Sequence, residues 1–273
     1  MHIIFTFYLV FSLWRSFLFL FFIFIFGVCL PNVAVKVSDL VKFYGDFQAL
    51  NHISFKVDAG EIYGLIGPNG AGKTTTLRII GTLISPTSGL VSVFGLDVVN
   101  NAESVRRIIS YLPEEAGAYR NLSGEEYLRF MGSFYSDNQA HLNQMLAEAE
   151  AISGLGDRLK DKVKTYSRGM KRRLLLSRTL MVYPKLAILD EPTSGLDVIH
   201  AYYVRRIIKK YVKEHNVTVL LSSHNMLEVE YLCDRVALIH EGKIIVEGMP
   251  EELKREFNAV NLEEVFAKVT EIA

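Results

Sequence analysis

The nine residues from Gly67 to Thr75 constrain this 273-residue chain more than any other stretch. Their sequence, Gly-Pro-Asn-Gly-Ala-Gly-Lys-Thr-Thr, fits the phosphate-loop pattern Gly-x-x-x-x-Gly-Lys-Thr. The apolar run 61–66 before it predicts a strand, and the helical spacing of residues 75–80 after it predicts a helix that stops at Gly81. A strand, a glycine loop and a helix in this order form the context in which the pattern binds phosphate.

The chemistry of this loop suits a nucleoside triphosphate. Glycines let successive backbone N–H groups turn toward phosphate oxygens, and the following helix adds the positive end of its dipole. Lys73 is expected to reach the β- and γ-phosphates, and the Thr74 hydroxyl to ligate Mg²⁺. The residues predicted to bind the nucleotide here are Gly67, Pro68, Asn69, Gly70, Ala71, Gly72, Lys73, Thr74 and Thr75. The alternative is a glycine turn that fits by chance, which the strand and helix around it disfavour.

Composition narrows the class of protein. The length suits one well-cored domain with an embedded subdomain, or else two small domains. Thirty basic residues balance thirty acidic ones, so no polybasic surface indicates a nucleic-acid partner. The two cysteines, Cys29 and Cys233, have neither metal-ligand spacing nor a disulfide pattern, which fits a reducing cytoplasm.

Residues 1–30 differ from the rest of the chain. They hold one basic residue, Arg15, no acidic residue and more than half of the 17 phenylalanines. One reading is a membrane anchor, although Arg15 near the membrane centre would cost about 2.5–3.5 kcal/mol. The other is upstream sequence ahead of a true start near Val28 or Leu30. A secretion signal fits worse, since the start is not basic and the apolar region is long. We therefore expect a boundary between 1–30 and a domain over 31–273.

Two strands end in acidic residues that suit nucleotide chemistry. The apolar run from Leu186 ends at Asp190 and Glu191, and the strand 108–112 is followed by Pro113 and Glu114. Polar groups at the carboxyl ends of sheet strands lie where α/β folds bind ligands. Asp190 is expected to serve the metal, and Glu191 to act as the base for a water attacking the γ-phosphate. The alternative, two solvated acids, is disfavoured by the phosphate loop.

A histidine and a tyrosine are further candidates. The strand 217–221 ends near His224, which either has a structural role or hydrogen-bonds the γ-phosphate. Alternating residues predict strands over 33–37 and 53–57, with Tyr44 in a loop between them. Its ring either packs internally or stacks on an adenine.

The chain between about 115 and 180 has a helical character. Ser123 begins a capping box, residues 139–153 predict a helix closed by Gly154, and Ser167 is the N-cap of a helix expected to run to Tyr183. This block lies between strands, so it is predicted to be an inserted helical subdomain.

In this order, the motifs resemble the nucleotide-binding domain of ABC transporters over about residues 33–250. The resemblance implies an α/β fold: a P-loop NTPase core with an antiparallel β subdomain and an inserted α-helical subdomain. Tyr44 matches the adenine-stacking aromatic, residues 67–75 match Walker A, and 186–190 match Walker B. Glu191 then matches the catalytic glutamate, and His224 the H-loop histidine.

Two positions depart from the family pattern. The signature, usually Leu-Ser-Gly-Gly-Gln, has Arg168 at its first glycine, while Ser167 and Gly169 remain. The resemblance implies that these two residues contact the γ-phosphate bound to the opposite subunit. The Arg168 variant is similar to that of drug- and polymer-export ATPases. Glu114 stands where the family has a Q-loop glutamine that helps to hold Mg²⁺ or water. A carboxylate there is still able to ligate Mg²⁺.

The resemblance also implies cofactors and partners. It implies ATP and Mg²⁺, a second ATP-binding subunit, with a homodimer favoured, and a membrane permease, at the cytoplasmic face of the cell membrane. Because the sequence has no run of several membrane spans, the permease is expected to be a separate polypeptide, and export is favoured over import. The alternatives are an ABC ATPase that acts on a ribosome or on DNA, and a regulatory module without hydrolysis, which Glu191 and His224 oppose.

A shortened chain tests the reading of residues 1–30. We expect a chain that begins at Pro31 behind a new Met to fold, to bind ATP and to be far more soluble than the full chain, because exposed phenylalanines drive association. Light scattering and nucleotide binding check this. Mass spectrometry of the native protein separates the two readings: peptides from residues 2–14 would exclude the late start.

Overall fold

The computed structural model describes residues 33–272 of the chain. Both predictions for residues 1–30, the anchor and the late start, fall outside the described residues. Within 33–272, none of the helices combines the length and the apolar run that crossing a bilayer requires.

The described chain contains two β-sheets and a set of helices. The strands are β1 (Val33–Tyr44), β2 (Phe47–Asp58), β3 (Ile62–Ile66), β4 (Ser88–Val93), β5 (Leu96–Asp97), β6 (Ile109–Leu112), β7 (Leu186–Asp190), β8 (Thr218–Ser223), β9 (Arg235–His240) and β10 (Lys243–Gly248). The α-helices are α1 (Lys73–Ile80), α2 (Ala102–Arg106), α3 (Gly124–Gly132), α4 (Gln139–Ser153), α5 (Arg168–Leu180), α6 (Val198–His215), α7 (Met226–Leu232), α8 (Pro250–Glu256) and α9 (Leu262–Ile272). Short 3₁₀ helices at Gly156–Lys160 and Val163–Thr165 connect α4 to α5.

The larger sheet has six strands in the order β10-β9-β3-β8-β7-β6. Strands β9, β3, β8, β7 and β6 pair in parallel, and β10 pairs antiparallel to β9. Every residue of β3 and β7 is buried, as expected for central strands covered on both faces. The carboxyl ends of β3, β6, β7 and β8 therefore lie along one edge, and the loops that follow them meet there.

The two faces of this sheet support two hydrophobic cores. Ile66 and Leu189 point into a core shared with helices α3 to α7, whereas Leu65 and Ile188 point into a core shared with α1 and the smaller sheet. Alternation along each strand assigns successive side chains to opposite faces. The sheet is thus the middle layer between the helices and the smaller sheet, which confirms the predicted α/β class.

The smaller sheet has the strand order β2-β1-β4-β5 and is antiparallel. Its hairpin corrects one expectation: Tyr44 is the last residue of β1 and pairs with Phe47, with a two-residue turn at 45–46 between them. Gly45 takes a left-handed φ of 57° in that turn. The alternation of the strands fades at the exposed aromatic end, so the sequence pattern places Tyr44 in a loop.

The helical block has the predicted boundaries at most positions. The capping box at Ser123 is present, and α4 ends at Gly154 in the left-handed conformation. Helix α5 has the predicted N-cap, Ser167, but it ends at Leu180 rather than at Tyr183. Tyr183 has a φ of 49°, which a continuing helix does not permit, so the helix ends before that residue.

The capping box of α3 leads to a stability prediction. The Ser123 hydroxyl accepts from the Glu126 N–H at 3.1 Å, and the Glu126 carboxylate accepts from the Ser123 N–H at 2.6 Å. Ser123→Ala removes one partner, which costs about 1 kcal/mol, or about 2–4 °C in Tm for a domain of this size. Calorimetry checks this, with Ser133→Ala as the control, because Ser133 is exposed at the other end of the same helix. An equal loss in both variants would contradict the capping role.

Candidate functional site

The phosphate loop, the end of β1 and the end of β7 surround a cavity of about 370 Å³. The residues that line it are Tyr44, Phe47, Ala49, Asn69, Gly70, Gly72, Lys73, Thr74, Thr75, Glu114 and Glu191. The cavity thus brings together residues from four segments of the sequence: the β1–β2 hairpin, the phosphate loop with the start of α1, Glu114 and Glu191. Aromatic rings lie toward the smaller sheet, and the charged groups come from the carboxyl edge of the larger sheet.

The loop itself joins β3 directly to helix α1, which begins at Lys73, two residues before the predicted start. Gly72 is required at the junction, because its φ is 108° and a Cβ there would lie 2.9 Å from the Ala49 carbonyl oxygen. The first turn of α1 contributes Lys73, Thr74 and Thr75 to the cavity wall. A helix N-terminus of this kind favours an anionic group.

Lys73 is the buried cation of the site, with 5 % of its surface exposed. Its ammonium donates to the carbonyl oxygens of Gly67, at 2.7 Å, and Pro68, at 3.1 Å. The same Nζ lies 3.5 Å from Oε1 of Glu191. The lysine is therefore fixed by the loop at one side and faces the carboxylate at the other.

Asp190 is buried at the end of β7, and three hydroxyl groups compensate its charge. Its Oδ1 accepts from Ser222 Oγ at 2.6 Å and from Thr74 Oγ1 at 3.1 Å, and its Oδ2 accepts from the Tyr111 hydroxyl at 3.2 Å. Burial, and then the neighbouring Asp190 charge, raise the pKa of Tyr111. Its phenol is therefore protonated at neutral pH and donates to the carboxylate.

Thr74 and Asp190 form a donor set that fits Mg²⁺. Both supply oxygen atoms, the ligands that this cation prefers, and a site built on one or two carboxylates is completed by substrate phosphates and water. Among residues 33–272, no group of three or more His, Cys, Asp or Glu side chains has a metal-binding arrangement. A magnesium ion held by Thr74 and Asp190 would take its other oxygen ligands from substrate phosphates and water.

Glu191 follows Asp190 and adopts an unusual backbone conformation, with a φ of 48°. Its N–H donates to the Ser222 hydroxyl at 3.0 Å, and its Oε2 lies 2.9 Å from Nδ1 of His224. Oε1 is buried and has no hydrogen-bond partner within the described part of the chain. A buried carboxylate oxygen without such a partner costs free energy, so it suits a polar group that enters the cavity.

His224 connects this carboxylate to the surface. About 48 % of its side chain is exposed, whereas only 6 % of the Glu191 side chain is exposed. The imidazole therefore contacts both the buried carboxylate and solvent, although His224 is not among the residues that line the cavity.

Glu114 lines the same cavity on the loop that follows β6. Its carboxylate is exposed and accepts a long hydrogen bond, 3.4 Å, from the Ser194 hydroxyl. This contact links the loop after β6 to the loop after β7. The metal-binding role of Glu114 stays a prediction.

Ser167 and Gly169 are not among the residues that line the cavity. The exposed Ser167 accepts from the Met170 N–H at 3.2 Å and caps helix α5. Gly169 is required by close packing, since a Cβ there would lie 2.2 Å from the ring of His200. Arg168, beside them, donates to the Ser194 carbonyl oxygen at 3.3 Å. Ser167 and Arg168 are thus exposed at a part of the chain outside the cavity, whereas Gly169 is buried beside them.

Phe47, Tyr111 and Ser222 are site residues that the sequence patterns do not single out. Phe47 pairs with Tyr44 across the hairpin and lies in the cavity wall, and the other two donate to Asp190. Their positions at strand ends are the one signal that the sequence offers. The contacts of Tyr111 and Ser222 with Asp190 depend on the pairing of strands far apart in sequence.

The comparisons with known proteins agree with this geometry. Residues 50–194 match the family model described as "ABC transporter". The bacitracin transport ATP-binding protein of Bacillus licheniformis is 41 % identical over 82 % of this chain and 72 % of its own length. The daunorubicin/doxorubicin resistance ATP-binding protein of Streptomyces peucetius is 41 % identical over 82 % of this chain and 68 % of its own length. A solved ATP-binding subunit of an ABC transporter is 30 % identical, with a TM-score of 0.78, over 87 % of this chain and 99 % of its own.

The chain therefore belongs to the ABC transporter family. Within that family it is an ATP-binding and ATP-hydrolysing subunit. The fold, with its P-loop core, antiparallel sheet and helices, is that of the ABC ATPases.

The aromatic side of the cavity leads to a binding prediction. Stacking of a nucleobase on an aromatic ring contributes about 1–3 kcal/mol. We therefore expect Tyr44→Ala to weaken ATP binding by about tenfold, measured by displacement of a fluorescent nucleotide, and Tyr44→Phe to restore it. Tyr231→Ala is the control, since Tyr231 is an exposed tyrosine outside the cavity. Unchanged ATP affinity in Tyr44→Ala would show that the adenine ring of ATP does not stack on Tyr44.

Proposed function

We propose that this chain hydrolyses MgATP in the cavity between the phosphate loop and Glu191, and that two copies of the chain together energise a permease. The observation that carries the proposal is a group of three buried charged residues at one cavity. Lys73 and Glu191 line the cavity, and Asp190 accepts a hydrogen bond from Thr74, which also lines it. This group would supply a cation, a carboxylate for the metal and a base beside the phosphate loop.

The phosphate loop and helix α1 would hold the triphosphate, with Lys73 on the β- and γ-phosphates and the adenine near Tyr44. Thr74 and Asp190, with Glu114 as a further candidate, would hold Mg²⁺. When bound, this ion neutralises phosphate charge and favours attack on the γ-phosphate.

Glu191 is the proposed base for the attacking water. Its Oε1 is buried, free of hydrogen bonds within the described residues, and part of the cavity wall, so it is able to accept a proton from a water held there. Lys73 and His224 orient the carboxylate from its two sides. His224 is the proposed contact to the γ-phosphate, because its imidazole extends from Glu191 toward the surface.

A second copy of the chain would complete each site. Ser167 and Gly169 begin helix α5, and its N-terminus favours an anion, yet these residues lie outside the cavity of their own chain. A symmetric pair allows the signature of each copy to face the nucleotide of the other. ATP would then join the two copies, and hydrolysis would release them.

The remaining parts of the proposal concern the transporter. Residues 1–30 and 31–273 are proposed as separate parts, with a helical subdomain at about 115–180 inserted in the second. This subdomain and the loop of Glu114 would pass the motion to a permease at the cytoplasmic face of the membrane. Relatives named for bacitracin transport and for daunorubicin/doxorubicin resistance support export as the direction.

Replacement of the proposed base tests the mechanism. Glu191→Gln keeps size and hydrogen bonding but removes the proton acceptor, so kcat should fall by about 100-fold or more. Size-exclusion chromatography with ATP should then reveal a stable dimer, because bound ATP is no longer consumed. Lys73→Ala should lose nucleotide binding or turnover.

Glu241→Gln is the matched control. Glu241 also has a left-handed φ, 47°, but it lies exposed in the turn between β9 and β10, outside the cavity. Its kcat should equal that of the parent. Parental turnover in Glu191→Gln, with no ATP-dependent dimer, would show that Glu191 is not the base.

A further inference from the structure

Arg172 lies on helix α5, and its side chain is almost completely buried, with 7 % of the residue exposed. A guanidinium carries five N–H donors, and here hydrogen bonds of 2.7–3.1 Å join it to five backbone carbonyl oxygens. Nε donates to Pro192; Nη1 donates to Pro113 and Glu114; and Nη2 donates to Asp190 and Glu191. The side chain thus bonds to two loops that are far apart in sequence.

The charge of this guanidinium is retained despite its burial. Burial lowers the pKa of Arg172 to about 10, and the nearby carboxylates of Asp190, Glu114 and Glu191 oppose that shift. The residue is therefore protonated at neutral pH. Burying a cation costs several kcal/mol unless its hydrogen bonds are satisfied, and the carbonyl oxygens satisfy them here.

The two bonds from Nη2 fix the peptide that carries the proposed base. A non-glycine residue in the left-handed region costs of order 1–3 kcal/mol and persists only where its surroundings hold it. Glu191 is such a residue, with a φ of 48°, and its own carbonyl oxygen lies 2.7 Å from Nη2. This backbone conformation directs the carboxylate toward Lys73 and His224.

The bonds from Nη1 act on a second loop that contributes to the cavity wall. They hold the carbonyl oxygens of Pro113 and Glu114, in the loop that follows β6. Helix α5 begins at the signature, one turn before Arg172. One side chain therefore connects the signature helix, the loop of Glu114 and the base.

We propose that Arg172 is a positioning residue for ATP hydrolysis, which holds the backbone of Glu191 and of the Glu114 loop in the geometry that the reaction needs. The proposal rests on the proposed role of Glu191 as the base. Arg172 acts through that residue and makes no contact with the cavity that would bind ATP directly.

Arg173, the next residue, provides a matched control. Its guanidinium also donates to carbonyl oxygens, those of Ser153 and Gly154, and it stacks on the ring of Tyr203 at 4.0 Å. These contacts join helices α4, α5 and α6 and do not involve the loops of the cavity. If the guanidinium bonds of Arg172 served only to stabilise the fold, replacing Arg172 and replacing Arg173 should change kcat to the same extent.

The experiment compares Arg172→Lys, Arg172→Gln and Arg173→Lys in the full-length purified protein. Lysine keeps the charge with three donors, and glutamine keeps two donors without a buried charge, so neither forms all five bonds. We expect kcat for ATP to fall by about tenfold or more in both Arg172 variants. The Kd of a fluorescent ATP analogue should stay within about threefold of the parent, because the phosphate loop is unchanged. Arg173→Lys should keep its kcat.

The decisive step combines Arg172→Lys with Glu191→Gln. If Arg172 acts through the base, Arg172→Lys should lower the residual turnover of Glu191→Gln by less than about twofold, since residues that act as a unit are not additive. Three results would overturn the proposal. The first is an equal fold loss of turnover when Arg172→Lys is introduced into the parent and into Glu191→Gln. The others are an unchanged kcat in Arg172→Lys and Arg172→Gln, or a loss of ATP binding together with a lowered Tm in these two variants. Parental turnover in Glu191→Gln alone would instead refute the proposed base.

Discussion

Two adjacent carboxylates, Asp190 and Glu191, are buried at the end of one central strand, and the architecture around them depends on compensating their charge. Charges of this kind need hydrogen-bond donors or cations, because desolvation otherwise costs several kcal/mol. Helix α1 supplies Lys73 and Thr74, and the residue His224 follows β8. The same requirement brings hydroxyl donors from β6 and β8 to Asp190. Compensation of the two charges therefore places the nucleotide loop and the candidate base together.

The strand order makes this convergence possible. Strands β3, β8, β7 and β6 are neighbours and run in the same direction, so their carboxyl ends form one edge. Each of them is followed by a loop with a functional candidate, although the four segments span residues 62–223. Helix α5 packs beside this edge, and the guanidinium of its Arg172 donates hydrogen bonds to backbone carbonyl oxygens in two of the loops. The site is thus built from non-local contacts on a rigid sheet.

Short-range patterns predicted much of this arrangement. The phosphate loop, the apolar strand that ends at Asp190 and the cap at Ser123 are each encoded within about ten contiguous residues, and the structure has all of these elements. The sequence pattern places Tyr44 in a loop rather than at the end of β1, because the strand ends in exposed aromatics that break the alternation. Helix α5 ends before Tyr183 because that residue adopts a left-handed φ, which no local pattern reveals. The contacts of Tyr111 and Arg172 depend on strand pairing and helix packing, so they are visible only in three dimensions.

The central claim is that the phosphate loop of one copy and the signature of another form each nucleotide site. Its most direct test is the structure of the Glu191→Gln protein with MgATP. We expect two copies related by twofold symmetry, with ATP on the phosphate loop of each copy. Ser167 of the opposite copy should then lie within hydrogen-bond distance, about 3 Å, of the γ-phosphate. A structure in which ATP occupies the loop while both signature helices face solvent would contradict the shared site.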